Sequence, residues 1–76
     1  MTAAELRARL CLVSHGVSLA EAMALDLEVV LLFLTVFSTI DAEEFDEAEV
    51  QESLDDLFGA PSDEEHARLV EIASRF

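Results

Sequence analysis

The chain has 76 residues, a formal net charge of −13 and a single cysteine. That length makes one domain, spanning 1–76, with a core small enough for association to help it. Seventeen acids against four arginines and no lysine argue against nucleic acid and anionic membranes as ligands, because the chain repels both at long range. Cys11 has no second cysteine to bridge to, which points to a reducing, cytoplasmic home and to a small buried hydrophobe.

Helix-start signatures recur along the chain. Thr2 with Glu5, Ser18 with Glu21, Asp46 with Glu49 and Ser62 with Glu65 share a spacing in which the first side chain accepts a free backbone N–H and the acid three residues on returns the favour. Four starts imply four or five short helices. Gly16 and Gly59 stand where helices should stop, and Pro61 reinforces the second stop.

The first helix is expected from Ala3 to Ser14, burying Leu6, Leu10 and Val13 as a stripe, with Arg7 and Arg9 off it. The arginines before Leu10-Cys11-Leu12-Val13 faintly imitate a signal peptide, but Ser14-His15-Gly16 ends the apolar run far too early for one. His15 lies beside the stop glycine, where it meets the helix C-terminal dipole, and no partner nearby suggests catalysis or metal binding.

Ser18 opens a second helical stretch, and a break is expected near Leu25-Asp26, since Asp caps helices better than it sits inside them. The segment that follows is the most distinctive in the chain. Between Val29 and Phe37 only Thr35 is not strongly apolar, so the segment shows hydrophobic side chains in every direction. A helix of that kind, expected over 27–40, must be surrounded, and part of its cover is expected from a second copy or another protein. The run is about half of the roughly 20 residues needed to cross a bilayer, and Asp26, Glu28 and Asp41 flank it where basic anchors would be expected. A buried strand over 29–37, paired across a dimer, is the alternative reading.

The acidic half begins at Asp41, and nine of the seventeen acids fall between Asp41 and Asp56. Phe45 and Val50 have the spacing of a hydrophobic staple around the Asp46 cap. A helix from Glu47 to Phe58 would turn Val50, Leu54, Leu57 and Phe58 inward, and a last helix after Ser62 would turn in Leu69, Ile72, Ala73 and Phe76. The short connection between them makes an αα-hairpin, expected to clasp the apolar segment.

Reactive constellations are missing from the pattern. Asp41 to Glu52 has acids at the first, third, seventh and twelfth positions of a calcium loop, but Phe45 and Asp46 occupy the fifth and sixth, where a ligand and a glycine are required. His66 has no second histidine or cysteine at a metal spacing, and no serine or cysteine nucleophile motif occurs. No enzymatic activity, cofactor or metal is expected.

The order Arg7-Ala8-Arg9-Leu10, then His15-Gly16-Val17-Ser18-Leu19-Ala20-Glu21-Ala22-Met23-Ala24-Leu25-Asp26, followed by a leucine-rich helix, resembles the short helical segment of bacteriophage tail assembly chaperones. The resemblance covers about Leu6 to Leu34 and carries over no catalytic residues. It implies a non-enzymatic protein that shields an apolar segment of a tape-measure-like partner during assembly.

The expectation is therefore an all-α bundle, oligomeric and most simply dimeric, that binds a protein partner through Val29, Leu31, Leu32, Phe33, Val36 and Phe37. The alternative is a small acidic inhibitor whose Glu43, Glu44, Glu47, Glu52, Asp55 and Asp56 imitate phosphates in a basic groove, as small phage-encoded antagonists do. A third possibility is that these acids only keep the surface solvated.

Overall fold

The computed structural model describes residues 1–37 and 46–76, apart from the side chain of Phe37. They form five helices and, among the described residues, no strand: α1 (Ala3–Ser14), α2 (Leu19–Ala24), α3 (Leu27–Phe37), α4 (Glu47–Phe58) and α5 (Asp63–Ala73). The all-α expectation holds, and the strand alternative for 29–37 does not. The last part of the helix expected over 27–40, and the staple from Phe45, lie outside the described residues.

Local chemistry explains the boundaries. Thr2 Oγ1 accepts from the Glu5 N–H at 3.1 Å, Ser18 Oγ from Glu21 at 3.2 Å, Asp46 Oδ1 from Ala48 at 3.0 Å, and Ser62 Oγ from Glu65 at 3.2 Å. Each removes one of the donors that a helix N-terminus leaves unpaired. At the end of α1, Gly16 takes a φ of 101°, the Gly16 N–H donates to the Val13 carbonyl and the Val17 N–H donates back to Leu12. That left-handed turn favours glycine, and its bonds satisfy the last carbonyls of the helix. The break expected near Leu25-Asp26 is present: α2 stops at Ala24, Leu25 is extended, and the Asp26 carbonyl accepts the first bonds of α3.

The packing differs from the expectation in one large respect. The hub is α1, against which each of the other four helices packs, and no pair among those four packs comparably. The core joins Ala8, Cys11 and Leu12 of α1 to Ala22 of α2, to Val30, Leu31 and Leu34 of α3, and to Val50 and Leu54 of α4. Thus α4 and α5 lean on α1 instead of clasping the apolar segment.

Small side chains make this arrangement possible. Ala3, Ala4, Ala8 and Cys11 let neighbours approach α1 from several sides, so it has no single buried stripe. The stripe of Leu6, Leu10 and Val13 is corrected accordingly: Leu6 is buried, Val13 half-buried and Leu10 exposed. On α4, Val50 and Leu54 point inward while Leu57 and Phe58 are exposed, and on α5 Ala73 is buried, Leu69 half-buried, and Ile72 and Phe76 exposed.

Arg9, expected off the buried side, is only 5% exposed. Its Nη1 donates to the carbonyls of Ala22 at 2.7 Å and Leu25 at 2.6 Å, and its Nη2 pairs with Glu5 at 3.0 Å. The end of α2 presents carbonyls without helical partners and the negative end of its dipole, and a guanidinium satisfies both needs. This clamp fixes the α2–α3 junction on α1 and so sets where α3 begins.

Candidate interaction surface

The placement of α3 divides its side chains into two faces. Val30, Leu31 and Leu34 turn inward against α1, α2 and α4, and Leu31 retains only 4% exposure. On the opposite side Leu32 is 64% exposed, Val36 73% and Phe33 38%, with Val29 half-buried beside them. Residues four apart share a helix face, so Glu28, Leu32 and Val36 form one line, with Glu28 as its charged end. The expected partner-binding set is therefore split: Leu32, Phe33, Val36 and part of Val29 face outward, Leu31 belongs to the core, and the side chain of Phe37 lies outside the described residues.

Thr35, the one polar residue of the run, donates its hydroxyl to the Leu32 carbonyl at 2.6 Å. A hydroxyl satisfied within its own helix asks nothing of a partner. The outward face thus offers apolar contact, and no Asn, Gln, Tyr or Trp stands on α3 to add specificity.

The acidic candidates are also divided. Glu47, Glu52 and Asp56 are exposed on α4, whereas Asp55 Oδ1 accepts from Arg7 Nη1 at 2.6 Å and is half-buried. Arg7 also donates to the Gly59 carbonyl at 3.4 Å, tying the end of α4 to α1. Asp55 is a structural carboxylate, and Glu43 and Glu44 lie outside the described residues.

A feature that the hydrophobic pattern concealed is a cleft of about 280 Å³ where α1 meets α5 and the end of α4. Leu10, Phe58 and Leu69 line it together with Arg7 and Pro61. Leu10 and Phe58, each expected in a buried stripe, are instead 40% and 49% exposed along this cleft.

Cys11 is buried, and that burial raises its thiol pKa above the ordinary 9.0, which keeps the proton on sulfur and the nucleophile weak. His15 Nδ1 donates to the Cys11 carbonyl at 2.9 Å at the end of α1, and His66 is exposed on α5. Among the described residues, no group of three or more His, Cys, Asp or Glu side chains is placed to hold a metal ion, and no helix is long and apolar enough to cross a membrane. Comparison with protein-family models, curated proteins and solved structures finds no match for the chain.

Proposed function

We propose that the protein is a non-enzymatic, acidic interaction module that docks another chain on the outward face of α3. The observation that carries this reading is the pair Leu32 and Val36, large apolar side chains left almost uncovered on a helix whose other side is fully engaged in the core. Isolated exposed apolar side chains are ordinary on protein surfaces, but a leucine and a valine on one face beside a part-exposed phenylalanine make a contiguous anchor. A chaperone or adaptor of the phage tail-assembly type fits this reading, with α3 shielding an apolar partner segment and the acids keeping the complex in solution.

A second reading rests on the exposure of Glu47, Glu52 and Asp56, which would occupy a basic groove in an acidic inhibitor. The two separate in one experiment. Sedimentation velocity and affinity capture are compared for the native chain, for a Leu32→Ser/Val36→Ser variant, and for a variant with Glu43, Glu44, Glu47 and Glu52 changed to glutamine. Loss of association in the serine variant, with the glutamine variant still binding at moderate salt, supports docking on α3. The reverse pattern moves the site to the acids and overturns it.

A further inference from the structure

We infer that the occupant of the α3 face is a cationic amphipathic helix of a protein partner, not a second copy of this chain; this rests on the reading of α3 as a docking face. The sequence between His15 and His66 contains no lysine, arginine or histidine, while every acid of the chain except Glu5 and Glu71 lies within it. That stretch supplies α2, α3 and α4 entire. Of the four arginines, Arg7 and Arg9 are largely covered and paired with Asp55 and Glu5. The two that reach solvent are Arg68 on α5 and Arg75 just past its end, where it pairs with Glu71; α5 packs on α1 and makes no comparable contact with α3.

The charges that flank the apolar line are of one sign: Glu28 stands at its start on the same helix face, Asp26 precedes it, both are exposed, and α2, α3 and α4 carry no cation. A second copy would bring the same apolar stripe inside the same anionic field, setting one net charge of −13 against another. Like charges facing across an interface oppose both association and register. A helix with leucine-type residues on one side and lysine or arginine along its edges meets the stripe and the field together. A helix is the matching shape because α3 offers a single ridge of side chains, and no strand edge exists among the described residues for an extended peptide to join.

The test uses the full chain and synthetic helical peptides of about 15 residues, long enough for an i, i+3, i+4, i+7 apolar face. One carries lysine beside that face, one carries glutamate in the same places, and one is a scrambled lysine peptide with its leucines dispersed. Fluorescence anisotropy titrations are run at about 50 mM and about 300 mM salt, which bracket the screening of surface charge. The ordered lysine peptide should bind at least about tenfold more tightly than either control, and should weaken by about tenfold between the two salts. The Leu32→Ser/Val36→Ser variant, with melting unchanged, should lose about tenfold in affinity for that peptide. Equal binding of the lysine and glutamate peptides overturns the cationic assignment. Self-association at low salt that the serine variant abolishes also overturns it, in favour of a second copy, while leaving the docking face in place. Undiminished binding of the lysine peptide by the serine variant rejects the face itself, and both readings with it.

Discussion

Helices α1 and α3 invert the relation usually assumed between hydropathy and centrality. The first carries Glu5 and two arginines among alanines and is buried at seven of its twelve positions; the second is almost wholly apolar and leaves Leu32, Phe33 and Val36 exposed. Burial depends on how many neighbours can approach, and small side chains admit more of them than large ones. Polarity does not bar a residue from the middle when its partners are waiting there, as Arg9 shows with two carbonyls and a carboxylate. Conversely, the apolar α3 packs chiefly on α1 and leaves Leu32 and Val36 exposed.

The contrast can be broken most forcefully at Leu12, which is fully buried in α1. Leu12→Ala should lower the unfolding free energy by about 2–5 kcal/mol, measured from the denaturant midpoint at unchanged slope. For a domain of this size that is a large part of the total. A loss below about 0.5 kcal/mol, the scale of an ordinary surface substitution, would show that α1 is not the hub.

Arg9→Met comes next, because it keeps the length of the side chain and removes its donors. The Ala22 and Leu25 carbonyls and Glu5 would then lack their partner, and about 1–3 kcal/mol should be lost, with amide exchange in α2 rising ahead of that in α1. Equal protection of α2 in both proteins would mean that the clamp does not fix the α2–α3 junction.

The smallest effect is expected on the outer face of α3. Leu32→Ser should change stability by no more than about 0.5 kcal/mol, while the same substitution at Leu34, two residues on and fully buried, should leave little folded protein. Similar melting temperatures for the two variants would abolish the division into an inner and an outer face.

Much of the fold was legible because it was written in local chemistry. Caps at Thr2, Ser18, Asp46 and Ser62, the glycine stop after α1 and the break at Leu25 depend on residues within a few positions of each other, and each is found where the spacing placed it. Tertiary partners were not legible in the same way. The periodicity of Leu6, Leu10 and Val13 assumes one buried side, an assumption that fails for a helix contacted by four others from several sides. The acceptors of Arg9 lie 13 and 16 residues away, a distance at which no short motif operates. At the candidate site the segment was identifiable by composition, but the division between Leu31 inside and Leu32 outside follows only from where α1, α2 and α4 sit. The tie from Arg7 to Asp55 likewise removed one carboxylate from a set that looked uniform in the sequence.

The burial of Cys11 gives the molecule a clock. It is the chain's only thiol, it sits on the helix against which all the others pack, and although it lines the cleft beside α5 it is only 2% exposed, so a thiol reagent gains full access to its sulfur when that packing parts. The rate of covalent capture therefore counts openings of the interior, one by one when reclosing is slow and as a population when it is fast. Alkali sets the pace. Because burial raises the folded thiol pKa, the opened chain ionises first; the resulting stability is fully present below pH 9.0 and drains away as pH rises through the folded value. As the pH passes 9.0 the open form becomes more populated and exposes the reactive thiolate, so time itself becomes the readout of how firmly four helices hold a fifth.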